Sequence, residues 1–237
     1  MIVQLVTVGL IFLGASFFLG GGHFDPRQLA PVLIGYVVWF YARIVIMSTS
    51  VDLVGEAQAG TLEQIYMSPV SASLLLLGRM LALLISTTVM VFLVAGLLIL
   101  LLGIHLPLRW EGLPVFFLAL TGLFGFTLVL SGFGLVFKQI DSLADLIQNM
   151  LLFLTGSLLP VEHFPNWLAF IAKTLPITQG IIVLREVLLR GDSLASTWQN
   201  GSLFWLVVHS ALYLTIGLLV FKWCEKIAKR QGTLGQY

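Results

Sequence analysis

An all-α, polytopic membrane protein is the fold class that the sequence predicts, and three observations predict it. The 237 residues are 59% hydrophobic and only 10% charged, where an ordinary soluble domain carries about 25% charge. Stretches without Asp, Glu, Lys or Arg cover Met1–Phe24, Gly112–Phe137 and Ser193–Phe221, and a helix needs about 20 mainly apolar residues to cross the hydrocarbon layer. The ten-residue alternating strands of a membrane β-barrel do not occur. A net charge of +1 gives no reason to expect nucleic acid as a partner.

Six transmembrane helices are expected, at about 2–20, 29–47, 79–102, 114–137, 143–160 and 203–222. The first, in "MIVQLVTVGLIFLGASFFLGGG", lacks the positive n-region of a secretory signal, although "GAS" resembles a cleavage site. It reads as an uncleaved span, and its missing charge suggests a short cytoplasmic lead segment before Met1. The second span carries Arg43 near one end, and the third begins at Arg79, whose long side chain can snorkel to the headgroups. The fifth carries Asp145 in its first turn, where the helix dipole tolerates an acid.

The stretch 161–190 is different. "PNWLAFIAK" and "PITQGIIVLRE" are each amphipathic and too short to span, and Lys173 and Pro176 divide them. Proline cannot continue a helix interior without losing a hydrogen bond. Two short helices are expected, which dip into the membrane and return or lie along it. Such backbone persists at membrane depth only when packed in protein or lining a wet cavity.

Lys and Arg near span ends set the orientation. With both termini cytoplasmic, Arg43, Arg79, Lys138, Lys222, Lys226, Lys229 and Arg230 lie inside, and Arg27, Arg109, Lys173, Arg185 and Arg190 outside. The basic tail "KWCEKIAKR" decides for that arrangement. The insert 48–78 then becomes the longest cytoplasmic connection. Within it "TLEQ" forms a capping box: Thr61 accepts from the Gln64 backbone N–H, and Gln64 reaches back to Thr61. Gly60 permits a sharp turn before it, and Pro69 ends the helix at Ser68. The helix of about two turns, with Leu62, Ile65 and Tyr66 on one side, either lies on the inner leaflet or docks a cytoplasmic partner. Glu56 and Glu63 disfavour an anionic lipid surface and favour a basic protein groove.

The segment "GEAQAGTLEQIYMSPVSASLLLLGRML" resembles the E-x-x-x-G-T-L-E-x-x-x-x-[ST]-P pattern of type-2 ATP-binding-cassette (ABC) exporter permeases, matched here by Glu56, Gly60, Thr61, Leu62, Glu63, Ser68 and Pro69. A second segment, "LLFLTGSLLPVEHFPNWLAFIAKTLPITQGIIVLRE", is similar to that family's fifth span and the turns after it, through Pro160, Pro165, Trp167, Pro176 and Thr178. The resemblance covers almost the whole chain, read as a single transmembrane domain over 1–237. It implies a transport subunit in a prokaryotic-type plasma membrane, paired with a second copy (identical or not) and with two cytoplasmic ATPase subunits. It also implies that the 52–69 region, Gln64 included, couples to the ATPase and that 161–190 forms a re-entrant outer gate. The sequence departs from the pattern at Ala57 and Ala59, often charged in the family, and at Leu175, where Asn is common. No G-x-x-x-x-G-K-[ST] phosphate loop occurs, so ATP and its Mg ion are expected on the partner and no cofactor on this chain. The cargo is expected to be amphipathic, drug-like or lipid-linked, because the spans offer mainly Ser, Thr and aromatic groups away from their ends.

Three other chemistries find partial support in the residues. An intramembrane hydrolase would use Ser131 and His209, but Val129 breaks the G-x-S-G motif. A secondary transporter or channel would place ionisable groups at the bilayer midplane, whereas here they fall near span ends. A metal site finds His23, His105, His163 and His209 each standing singly. Gly122, Gly125, Gly132 and Gly134 in the fourth span either allow close helix approach or reflect the frequency of glycine in membrane helices. Cys224, the single cysteine, sits at a membrane edge as a small hydrophobe or a palmitoylation site.

Overall fold

The computed structural model describes residues 26–58, 72–107, 109–137 and 141–231, together with residues 13, 14 and 17. The described residues form helices and connections, without strands. The helices are α1 (Pro26–Gln58), α2 (Ala72–Leu102), α3 (Gly112–Phe137), α4 (Asp141–Leu154), α5 (Asn166–Thr174), α6 (Thr178–Arg185), α7 (Leu194–Gln199) and α8 (Ser202–Gln231). A 3₁₀ turn, Val161–His163, precedes α5, and a π turn, Glu186–Arg190, continues α6.

Four of these helices are long and apolar enough to cross a membrane, within Leu29–Met47, Leu77–Leu102, Gly112–Val136 and Ser202–Ala228. The pair α5 and α6 with its π turn would make a fifth if counted as one bent span. The expected first span falls outside the described residues, apart from Leu13, Gly14 and Phe17, which are helical.

The molecule is built around α1. In the Leu29–Met47 span 78% of residues are buried, against 22% in Leu77–Leu102. α2 is the more apolar of the two, yet Phe92, Leu97, Leu100 and Leu101 on it are exposed. In a bilayer this is no contradiction, because lipid solvates leucine as well as a protein core does, and association falls to packing and polar bonds. α1 supplies both. Trp39 Nε1 donates to the Gln148 carbonyl of α4 at 2.8 Å, and Tyr41 Oη donates to Thr88 Oγ1 of α2 at 2.8 Å. The Tyr41 ring also meets Phe116 of α3 edge-on, with centroids 5.0 Å apart.

The spans expected at about 29–47 and 79–102 are found as Leu29–Met47 and Leu77–Leu102, although their helices run further. α1 continues past its span to Gln58, since Gly55 costs a helix only about 1 kcal/mol, and α2 starts at Ala72. α4 stops at Leu154 rather than reaching Pro160; its 14 residues rise about 21 Å, less than a bilayer core of about 30 Å. The chain breaks there because Gly156 adopts φ +79°, a conformation open to glycine at little cost. α8 carries the basic tail as helix, through Lys222 and Lys226 to Gln231.

Candidate functional site

The two short helices expected after the fifth span are present and meet at 101° across Leu175–Ile177. Proline sits at each break. Pro160 precedes the 3₁₀ turn, Pro165 is the N-cap of α5, and Pro176 lies buried between α5 and α6. Thr178 opens α6 fully buried, and its Oγ1 has no hydrogen-bond partner among the described residues. Trp167 turns outward, 67% exposed. Thus Pro160, Pro165, Pro176 and Thr178 mark the corners of one element, and Trp167 is its outer face.

Three polar contacts tie this element to α8 and to itself. Tyr213 Oη donates to the Thr174 carbonyl at the end of α5, at 2.7 Å. Ser202 Oγ donates to Glu186 Oε1 at 3.2 Å, while Glu186 Oε2 is buried without a partner. Arg190 lies 3.6 Å from Glu162. Between them opens a cleft of about 580 Å³, walled by Glu162, Lys173, Gln179, Glu186, Ser202 and Trp205 among others.

The strongest anchor was missed in the sequence, where Arg185 counted only as an outside charge. Its Nε and Nη2 donate to the Pro31 carbonyl of α1 at 3.0 and 2.8 Å. Nη2 also donates to Gly156 O at 2.7 Å and Ser157 O at 3.2 Å, in the break after α4. One guanidinium therefore joins α1, the end of α4 and the end of α6. Planar geometry and five N–H donors suit arginine to such a node. Gly35 makes room for it: a Cβ there would lie 2.2 Å from Ser157 O and 2.8 Å from Arg185 Nη2. The available signal was an arginine on a short apolar helix with no acid three or four residues away.

Three glycines of α3, Gly122, Gly125 and Gly132, face α8. A Cβ on Gly125 would lie 2.2 Å from the Tyr213 backbone, and one on Gly217 would lie 2.1 Å from Gly125 O. Gly122 packs on Ser210 and Gly132 on Phe221. These three serve close helix approach; Gly134 is buried. Gly180 does the same for α6, where a Cβ would fall 2.3 Å from that of Ala119.

Of the predicted coupling residues, Glu56 lies in the last turn of α1. Gly60, Thr61, Leu62, Glu63, Gln64, Ser68 and Pro69 lie outside the described residues. α1 extends 11 residues past Met47, about 16 Å at 1.5 Å per residue, and so enters the insert as a continuous helix.

Ser131 and His209, the pair a hydrolase would use, lie apart. Ser131 Oγ donates to its own helix at Thr127 O. Its neighbour Gly132 packs on Phe221, which is 12 residues along α8 from His209, about 18 Å of helix. His209 stacks edge-on with Tyr213, centroids 5.1 Å apart. Among the described residues no three His, Cys, Asp or Glu side chains gather to hold a metal.

Comparison with known proteins agrees with this architecture. The family model described as "ABC-2 family transporter protein" matches residues 3–219. The chain is 28% identical over 205 residues to "ABC transporter G family member 20" of Dictyostelium discoideum, covering 84% of this chain and 27% of that protein. The chain thus spans about a quarter of the length of the curated relative it matches. With long apolar helices packed on a buried α1 and a family match over nearly its whole length, this multi-pass integral membrane chain belongs to the ABC-2 family of transporter proteins.

Proposed function

We propose that the chain is the membrane-spanning permease subunit of an ATP-driven exporter, one transmembrane domain of six spans with both termini in the cytoplasm of a prokaryotic-type cell. Two permease subunits, identical or not, pair within the membrane, and two separate cytoplasmic ATPases carry ATP and Mg. Glu56, Gly60, Thr61, Leu62, Glu63, Gln64, Ser68 and Pro69 form the docking insert. The 161–190 element, cornered by Pro160, Pro165, Pro176 and Thr178 with Trp167 outside, forms a re-entrant gate over the exit for an amphipathic, drug-like or lipid-linked cargo.

The observation that carries this reading is the continuity of α1. From Gly35, beside the Arg185 node, to Glu56 it is one helix, about 32 Å long. A push on the insert reaches the gate through a rod whose far end is held at the Pro31 carbonyl by two hydrogen bonds from Arg185. Coupling requires a two-state element that both sites bias; the bent α5–α6 pair, fastened to α1 and to α8, is that element. A secondary transporter needs no such link.

The test is a pull-down of the chain with a candidate ABC-type ATPase subunit, comparing wild type with Glu63→Arg and reading ATPase activity in the same samples. Wild type is expected to retain the ATPase and the variant to lose it. Equal retention, or transport by the chain alone in liposomes without an ATPase, overturns the reading.

A further inference from the structure

A second cavity lies at the end of the bundle where α1 starts and α2 ends. It encloses about 190 Å³ between Leu33 and Val37 of α1, Ala95 of α2, Leu113 of α3 and Leu188 of the π turn, and Arg109 is the one polar residue on its wall. It is separate from the polar cleft behind α5. Ala95 lies seven residues before the end of α2, about 10 Å along the helix, so the cavity sits within one leaflet of a bilayer core of about 30 Å. It is open to the outside: Leu113 on its wall is 47% exposed.

The surroundings specify what enters. Leu97, Leu100 and Leu101 on the nearby outer face of α2 are exposed, and Trp110 beside Arg109 is 86% exposed, the position of an interfacial tryptophan. Water does not fill a cavity with almost no polar wall, and an apolar void of about 150 Å³ already takes up a benzene-sized guest. In a membrane the neighbouring apolar molecule is an acyl chain. Arg109 stands where the headgroup of that lipid would lie. Its Nη1 donates to Gly191 O at 2.6 Å, which fixes the side chain. The Glu111 carboxylate, 3.6 Å away, is an exposed partner that a phosphate can displace, because such exposed pairs are worth little. The other N–H groups of the fork have no acceptor among the described residues and match a phosphate oxygen.

We propose that this cavity is a binding site for one anionic membrane phospholipid, with a chain segment between α1, α2 and α3 and the phosphate on Arg109. The site depends only on the chain lying in a bilayer and stands independently of any ATPase partner. The lipid fills the gap between α1 and α2, and so supports the rod that runs from the Arg185 node to the insert.

The experiment reconstitutes the full chain in vesicles of equal dioleoylphosphatidylglycerol and dioleoylphosphatidylcholine, extracts it in mild detergent and counts retained lipid by native mass spectrometry. Wild type is expected to keep about one lipid, with roughly a fivefold preference for phosphatidylglycerol, the scale of one basic residue at a membrane surface. Ala95→Phe and Leu113→Trp, which fill the cavity, lose the retained lipid, whereas Leu93→Phe on the exposed face of α2 keeps it. Arg109→Gln keeps the lipid without the preference, and Arg109→Lys keeps both. Equal retention of the two lipids by wild type overturns the headgroup assignment without recourse to any variant. Unchanged retention in a folded cavity-filling variant overturns the cavity.

Discussion

The Arg185 guanidinium and the Pro31 carbonyl oxygen, 154 residues apart in sequence, are joined by two hydrogen bonds of 3.0 and 2.8 Å. The same guanidinium holds Gly156 and Ser157, so α1, the broken end of α4 and α6 share one polar anchor. A cation at this depth is tolerated because its charge is spread over a planar group and its donors meet fixed carbonyl dipoles.

Removing that anchor gives the first prediction. Arg185→Ala is expected to destabilise the protein by about 1.5–3 kcal/mol, the range for hydrogen bonds to a charged group. Arg185→Lys recovers only part of it, since an ammonium cannot fork between α1 and the α4 break. Thermal unfolding in detergent reads both; a melting point unchanged in Arg185→Ala would show that the node is not structural.

At the α3–α8 interface the expected result is steric. Gly125→Ala places a methyl 2.2 Å from the Tyr213 backbone and forces the helices apart, at about 3 kcal/mol or more. Gly96→Ala on α2 meets nothing within 4 Å and is expected to be neutral or to stabilise by up to about 1 kcal/mol. Comparing the two melting curves separates packing glycines from incidental ones.

Tyr213→Phe removes the single hydroxyl donation to Thr174 O while keeping the ring against Phe126 and His209. A loss of about 1 kcal/mol is expected, together with faster labelling of a cysteine placed at Thr174. Equal labelling rates would mean that this bond does not restrain the end of α5.

If α1 acts as a rod, softening it separates docking from transmission. Val51→Gly combined with Val54→Gly lies in the α1 extension and costs helix stability by roughly 0.5–1 kcal/mol. Retained ATPase binding with loss of cargo movement in proteoliposomes is the expected outcome. Full transport by this variant would show that force does not pass along α1.

Much of the fold is legible from residue order. The positions of the long helices follow from apolar run length, and the two short helices between 166 and 185 follow from Pro165, Lys173 and Pro176. The span at Leu29–Met47 is legible, while the continuation of its helix through 48–58 is not, because no proline stands at the membrane edge to stop it. The end of α4 was misplaced because Gly156 is conformationally decisive only once its positive φ is known. Pro160, Pro165, Pro176 and Thr178 lie on one bent element, while the motif after Gln58 lies outside the described residues.

What the sequence by itself determined is that the chain is helical, lives in lipid and carries the motifs of one transporter family, since those depend on composition, run length and local turn chemistry. Which apolar surfaces face inward was decided only by the tertiary structure. In lipid, hydrophobicity does not distinguish a buried leucine from an exposed one, so the assignment falls to long-range contacts. The meeting of Gly125 with Gly217, of Trp39 with Gln148 and of Arg185 with Pro31 places α1 at the centre and α2 at the edge, because backbones can close only where a side chain is missing and buried donors settle only where a carbonyl waits.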